Sequence, residues 1–402
     1  MPTVPETVTA PRGYRANAVV AGLKASGRPD LALLVSDRPA AAAGVFTTNR
    51  VHAYNVERNR RLLAAGRPLR AVLVNAGNAN VATGEQGRRD TETMAALAAA
   101  QLDCSADEVA VAQTGVIGVP LRMEGIREMM PALAGGLDIA GGERAAQAIM
   151  TTDTRLKQAA RTLRIGRREV RVGVMAKGAG MIHPNMATLL CFVTTDAALS
   201  TGAAQELLAA AVDETLNLVT IDGDQSTSDT CLLLANGASD TPPIESSADP
   251  GYAPLLAAVQ EVLEAMARAV AADGEGATRL VAVEVTGAHN VADARLAARA
   301  VAGSNLVKCA VHGRDPNWGR IAAAVGYSGA QFDPAALCVT LQDTLLLVRG
   351  EPQRFDPTAV SAALGADEVR VRVELGAGEA RARAYGCDLS AEYVSINSDY
   401  TT

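Results

Sequence analysis

Short, nearly unbroken apolar runs punctuate the first half of the chain and alternate with stretches of helical periodicity. LALLVS from Leu31, GVFTTN from Gly44 and RAVLVNAG from Arg70 read as buried strands bounded by turn formers. Helical patterns fall around residues 89–102 and, rich in alanine, around 132–150. VRVGVMAK from Val170 predicts a further strand that runs into a glycine loop, and LLCFVTT, ending at Thr195, predicts the next. An alanine-rich amphipathic helix is expected near 203–218. The segment SDTPPIESSADPGYAP, 239–254, is dense in turn formers and marks a surface connection. Beyond Leu280 the runs LVAVEVTG, LVKCAVHG, CVTLQDTLLLVRG and VRVRVELG all read as strands separated by short helices. Strands and helices alternate throughout, which predicts an α/β fold whose C-terminal part forms an α/β layer of its own.

Composition narrows this picture. The 402 residues are 49% apolar but only 3% aromatic, so alanine, valine and leucine must build the interior. A net charge of −7 without a basic stripe argues against a nucleic-acid partner. No uncharged apolar run approaches the length of a membrane span, and the N-terminus lacks a basic-then-apolar signal design. Cys104, Cys191, Cys231, Cys309, Cys338 and Cys387 form no CxxC pair and have no histidine at metal-ligand spacing, so no metal site is expected. Scattered thiols suit a reducing compartment, and a soluble cytoplasmic protein is the expectation. Only four lysines stand beside many arginines, and no function is drawn from them.

The most informative stretch is KGAGMIHPNMATLLCFVTTDA, from Lys177. A glycine- and proline-containing loop leads into Ala187, then Thr188, then a β-type run, which suits a threonine at the mouth of a buried strand. A threonine hydroxyl is a weak nucleophile that a free α-amine can activate, and Thr188 acquires one only if the chain is cut after Ala187. QTGVIG, from Gln113, offers the Thr114 hydroxyl and the Gly115 N–H as an oxyanion-binding pair, or simply a tight turn. TTDT at Thr151 suits a polar pocket lining or a helix end. DGEGAT at Asp273 places Glu275 where it could receive an ammonium, or caps a turn. NSDYTT, containing Asn397 and Thr402, reads alone as a frayed end. Asp222, Asp224 and Asp229 lack calcium-loop spacing and favour a hydrogen-bonded turn. Lys177-Gly-Ala-Gly is no phosphate loop, GxSxG is absent, and His183 divides between a base and a packing role.

These motifs, in this order, resemble the ornithine acetyltransferase (glutamate N-acetyltransferase) family of arginine biosynthesis. The resemblance covers essentially the whole chain, from VTAPRGYRANAVVAGLK at Val8 through NAGNAN, QTGVIG, TTDT, KGAGMIHPNMATLL, DGDQSTSD, DGEGAT and DPNWGRI to SINSDYTT. It implies a layered αββα sandwich, two sheets flanked by helices, with the C-terminal α/β extension. It implies self-cleavage between Ala187 and Thr188, giving an α chain of residues 1–187 and a β chain of 188–402. Residues 188–280 would complete the catalytic core, and 281–402 would form the C-terminal region. The resemblance further implies a ping-pong transfer of acetyl from N2-acetyl-L-ornithine through Thr188 to L-glutamate, without metal or cofactor. The freed amine of Thr188, with an ordinary pKa of about 7.7–8.0, would serve as base. Thr114 and Gly115 match the family's oxyanion pair; Thr151, Lys177, Thr188, Glu275, Asn397 and Thr402 match its substrate-contacting positions.

Partners implied are small amino-acid substrates and an association of α and β chains as two pairs or more. Use of acetyl-CoA as a second acetyl donor, in a bifunctional enzyme, stays open. Some positions depart from the family's usual pattern. Gln113 stands where serine is common, and AYNVERN, NAGNANVATG and LNLVTIDGD differ from their usual counterparts. TTDT and Lys177 lie a few residues further apart than usual. A paralogue in antibiotic biosynthesis therefore stays open, as do an N-terminal-nucleophile aminopeptidase or amidohydrolase and an uncleaved binding protein.

Overall fold

A computed structural model describes residues 6–183 and 189–399. Eight strands build its core: β1 (Tyr14–Val19), β2 (Leu31–Phe46), β3 (Leu69–Asn78), β4 (Val109–Val116), β5 (Lys157–Ile165), β6 (Arg168–Lys177), β7 (Leu190–Thr195) and β8 (Thr230–Ala235). The helices between them are α1 (Tyr54–Ala64), α2 (Gly84–Leu102), α3 (Met123–Gly135), α4 (Gly142–Ile149), α5 (Thr201–Asp213) and α6 (Tyr252–Ala272).

The strands hydrogen-bond in the order β4-β3-β2-β8-β7-β6-β5, with β1 against β2. The long β2 turns this path into two layers. Its first half pairs with β1 and β3, its second half with β8, and the register slips between Val35 and Ala40. Asp37, Arg38 and Pro39 lie exposed at that slip, where proline cannot donate to a ladder. Alternation then sorts the side chains. Leu31, Leu33, Val35, Leu73 and Val111 face α2 and α3 on one outside. Val172, Val174, Cys191, Val193 and Leu233 face α5 and α6 on the other. Ala32, Leu34, Val72 and Val74 meet Met175, Phe192, Leu232 and Leu234 between the layers. The αββα sandwich is therefore present. Tyr14 stitches its layers together: fully buried on β1, it donates to the carbonyls of Leu234 (2.7 Å) and Thr195 (3.2 Å).

The C-terminal extension comprises β9 (Leu280–Ala288), α7 (Val291–Gly303), α8 (Asn305–His312), α9 (Trp318–Gly326), β10 (Cys338–Leu341), β11 (Thr344–Val348), β12 (Glu351–Pro352), α10 (Pro357–Ala363), β13 (Glu368–Glu374), β14 (Ala380–Cys387) and α11 (Ala391–Asp399). Its strands form a second sheet in the order β12-β11-β10-β13-β9-β14, and α7 to α9 cover one face around a separate core.

Five local expectations change. CVTLQDTLLLVRG is not one strand but the antiparallel pair β10 and β11, turning at Gln342 and Asp343. LVKCAVHG is not a strand but helix α8, capped by Ser304, whose hydroxyl accepts from the Val307 N–H. Val307, Ala310 and Val311 bury one helical face, a spacing that a short apolar run does not distinguish from a strand. The helix expected over 132–150 is two helices, interrupted by Gly136 and Gly141. LALLVS and GVFTTN belong to one strand, and Thr47 lies beyond its end. The helix expected near 203–218 ends at Asp213.

With so few aromatics, the inter-layer core leans on Phe192, which is fully buried. Phe192→Ala is expected to cost about 3–5 kcal/mol, read as a lowered denaturation midpoint in urea. A loss under about 1 kcal/mol would mean that the two layers do not depend on this contact.

Candidate active site

One cavity of about 410 Å³ collects Thr114, Gly115, Thr151, Lys177, Glu275 and Asn397 on its walls. These residues come from the end of β4, the loop after α4, the end of β6, the loop after α6, and α11. Ala187, Thr188 and Thr402 lie outside the described residues. The chain resumes at Leu189, one peptide unit after Thr188, and enters β7 beside β6 with Leu190 opposite Lys177.

The first wall is a close approach of two backbones. Gly77 and Gly115 are register partners in parallel strands β3 and β4. A Cβ on Gly115 would lie 2.3 Å from the Gly77 carbonyl carbon, and φ here is +127°. Asparagines brace the bend: Asn75 donates to the Asn78 carbonyl (2.8 Å), and Asn78 accepts from the Asn80 N–H (2.7 Å). Gln113 turns the opposite way, into a buried network with Asn75, Asn80 and Thr91. Its departure from the usual serine thus does not reach the cavity.

The second wall carries the charge. Lys177 is buried, and its Nζ donates to Thr114 Oγ1 at 3.5 Å, leaving the threonine's own O–H available to donate. Burial lowers the Lys177 pKa; Asp153 opposes that fall and Lys157 adds to it. Asp153, also buried, accepts from Lys157 Nζ (2.7 Å), the Gly178 N–H (2.7 Å) and the Thr151 N–H (3.0 Å). Burial alone would raise its carboxyl, but Lys177, Lys157 and the backbone donors outweigh it and hold the pKa at about 2. Lys157 also reaches Asp273 at 2.5 Å, and Asp273 accepts from the Thr154 and Arg155 N–H groups. The hairpin register places Lys157 opposite Ala176. The β5–β6 hairpin register thus brings the TTDT end of the segment back beside Lys177, whatever the length of its far turn.

The third wall is anionic. The Glu275 N–H donates to the Ala179 carbonyl (2.8 Å), and Asn397 Nδ2 donates to Glu275 Oε2 (2.8 Å). A Cβ on Gly180 would lie 2.4 Å from the Glu275 carboxyl, so the glycine loop is what admits this side chain. Next to it Met181 adopts φ +56°, a conformation that non-glycine residues avoid. Asp222 holds that turn by accepting from the Met181 (2.5 Å) and Ile182 (2.9 Å) N–H groups. Within DGDQSTSD itself Asp222 also accepts from the Asp224 N–H (3.1 Å), as a hydrogen-bonded turn requires, but the Asp229 carboxylate takes no part in it. His183 is not among the cavity's lining residues; its Nδ1 meets Thr220 Oγ1 at 3.2 Å. No cluster of metal-ligating side chains occurs among the described residues.

The site has a cation beside a hydroxyl donor on one side and a carboxylate paired with an amide on the other. Comparison with known proteins places the chain in a family. Residues 15–402 match the model of the ArgJ family. The chain belongs to the ArgJ family. A relative from Nostoc sp., "Arginine biosynthesis bifunctional protein ArgJ 1", is 50% identical over 98% of both chains. One from Symbiobacterium thermophilum, "Arginine biosynthesis bifunctional protein ArgJ", is 51% identical over the same shares. A crystal structure of the Bacillus halodurans ArgJ protein superposes with a TM-score of 0.51 at 40% identity, covering 52% of this chain and 98% of that one.

Within this ArgJ chain, three residues at the site escaped the sequence motifs: Asp153 as a charge partner, Lys157 and Tyr393. Tyr393 lines the cavity. Asp229 is buried, with neither oxygen reaching a hydrogen-bond partner among the described residues. Burial pushes its carboxyl well above the ordinary range; Ser226, Lys177 and the Leu189 backbone pull weakly the other way. A usable signal existed for Lys157. Of 37 cationic side chains only four are lysine, and Lys157, Lys177 and Lys308 are buried. Where arginine is the default cation, each remaining lysine marks a place that a guanidinium does not fit.

Two outcomes follow from this geometry. Gly115→Ala combines backbone strain with a clash and is expected to destabilise by about 2–4 kcal/mol in urea denaturation; a neutral result would refute the close approach. The folded Asp153 carboxyl, at about 2, titrates below its unfolded value of about 3.9. Its stabilising contribution is therefore full above pH 4–5 and disappears as the pH falls through about 2. The stability gap between the parent and Asp153→Asn should narrow by on the order of 2 kcal/mol between pH 5 and pH 2. A gap that is constant over this range contradicts the buried ion pairing.

Proposed function

We propose that this protein is a self-cleaving acetyltransferase of arginine biosynthesis that moves acetyl from N2-acetyl-L-ornithine to L-glutamate. The observation that carries the reading is the cavity's paired polarity, Lys177 beside Thr114 against Glu275 with Asn397. An α-amino acid with a cationic tail presents a carboxylate to the first pair and an ammonium to the second. Relatives half identical over nearly the whole chain, named as bifunctional arginine-biosynthesis proteins, support the same reading.

The chemistry begins with maturation. Thr188 Oγ attacks the Ala187 carbonyl carbon, the peptide nitrogen leaves as an amine, and water hydrolyses the resulting ester. Residues 1–187 and 188–402 are then separate chains. The left-handed Met181 upstream, pinned by Asp222, supports a turn held under strain before the scissile bond. The solved Bacillus halodurans chain, about half as long as this one, is consistent with such a cut. The fragments would stay together because the cut leaves two ladders intact, β6 with β7 and β2 with β8. Association of two αβ pairs or more belongs to the same proposal.

In turnover the Thr188 amine takes the hydroxyl proton as Oγ attacks the acetyl carbonyl. Thr114 O–H and Gly115 N–H receive the oxyanion, a donor of this kind being worth about 3 kcal/mol. The proton passes to the departing ornithine nitrogen, and the acetyl group remains as a threonine ester. Glutamate's amine then attacks that ester, and the hydroxyl is regenerated. Thr151 lines the substrate's path with Lys177, and Thr402 is assigned to the same substrate set. Ser226, Thr227 and Ser228, on the same cavity, offer donors for glutamate's side-chain carboxylate. No metal or cofactor enters these steps; acetyl-CoA enters only as a second acetyl donor in a bifunctional enzyme.

Purified protein should run as two bands near half size in denaturing electrophoresis, with a β chain beginning at Thr188. After exposure to N2-acetyl-L-ornithine, that chain should carry one acetyl group. Thr188→Ala should remain one polypeptide without transfer. A single uncleaved band in an active preparation, or release of free acetate in place of acetylglutamate, contradicts the reading.

A further inference from the structure

Lys177 is the cation assigned to the substrate's carboxylate, yet it shares its burial with Asp153, the carboxylate with the largest charge effect on it. Two such groups in a dry interior should close into an ion pair, which would leave nothing for a ligand. They do not. Among the described residues, the one hydrogen-bond partner of Lys177 Nζ is Thr114 Oγ1, at 3.5 Å. Asp153 Oδ1 is filled by Lys157 Nζ and the Gly178 N–H, both at 2.7 Å, and Oδ2 accepts from the Thr151 N–H at 3.0 Å.

Lys157 is suited to that task by its own connections. Its side chain is 1% exposed and its donors are spent on Asp153, on Asp273 at 2.5 Å and on the Arg155 carbonyl at 3.4 Å. Two lysines and two carboxylates share this buried cluster, so Asp153 and Asp273 offset the lysine charges while Lys177 makes no direct ion pair. An ammonium with three tetrahedral donors meets these three acceptors in a way that a planar guanidinium does not.

We propose that Lys157 is a positioning residue that occupies Asp153 and thereby keeps Lys177 uncommitted for the carboxylate of the amino-acid substrate. This deepens the function proposed above and rests on it. Removing Lys157 frees an Asp153 lone pair, and Lys177 swings onto it, so substrate must compete with an internal anion. The effect falls on binding more than on the acetyl-transfer step: Thr114 loses only the long 3.5 Å bond from Lys177, and both Thr114 and Gly115 keep their places on β4.

The test is steady-state acetyl transfer from N2-acetyl-L-ornithine to glutamate with the mature two-chain protein, its cleavage checked by electrophoresis. Lys157→Met should raise KM for acetylornithine about tenfold or more, with a smaller change in kcat. Adding Asp153→Asn to that variant removes the freed anion and should return KM to within about threefold of the parent. A packing role alone predicts the opposite, a double variant as poor as the single or worse. Lys157→Gln, whose amide still donates to Asp153, should fall between parent and methionine variant, and it carries the test if methionine is not tolerated. An active parent with unchanged KM in Lys157→Met, or no recovery in the double variant, overturns this inference alone. A parent that transfers no acetyl group overturns the function beneath it.

Discussion

Three segments meet around one buried ammonium, the third of them through Asp153. Lys157 joins Asp153, in the loop after α4, to Asp273, at the end of α6, while Asp153 also takes the Gly178 N–H at the end of β6. These are the segments that present Thr151, Glu275 and Lys177. Burying such a cluster is not by itself a gain in stability, since the desolvation of each ion offsets much of the attraction. Losing one partner, however, costs about 3–5 kcal/mol, because the others remain buried and unpaired. The cluster is better understood as a device of placement: it fixes where each wall of the cavity stands relative to the others.

The sandwich supplies what that device requires. Two layers folded about the bend in β2 bury Thr114 and Lys177 at the ends of β4 and β6, and Tyr14 ties one layer to the other. Charges at those ends then act in a low-dielectric setting, where a single ammonium is felt strongly. The same layering bears on the proposed cut before β7. Ladders β6–β7 and β2–β8 and the core between the layers join segments on either side of it. The extension contributes back to the site through α11, whose Asn397 meets Glu275.

Much of this was legible from sequence because the residues concerned carry unusual constraints. Glycines at 115 and 180, the hydroxyls of Thr114 and Thr151, and an acid in a glycine loop have few structural reasons to recur together, and all border one cavity. Other features were hidden for physical reasons. LVKCAVHG buries Val307 and Val311 in a helix, yet its composition suits a strand equally, and only Ser304 as a cap distinguishes them. The bend in β2 depends on an interruption, DRP, that reads as an ordinary turn between two strands. Lys157 sits four residues after Asp153 on what becomes an edge strand, so no helical or motif spacing points to it. Its scarcity as a residue type was the better clue. Lys308 donates to the Ile221 carbonyl beside Asp222, and Lys24 to the Ala148 carbonyl before TTDT. All four lysines thus form or brace the walls of one site.

A crystal structure of the mature protein with L-ornithine bound tests the central claim most directly. The account predicts the ligand's carboxylate within hydrogen-bonding distance of Lys177 Nζ, and its terminal ammonium at Glu275 and Asn397, with Asp153 still held by Lys157. A ligand lying in the reverse direction, or Lys177 paired with Asp153 while ornithine occupies the cavity, would contradict it.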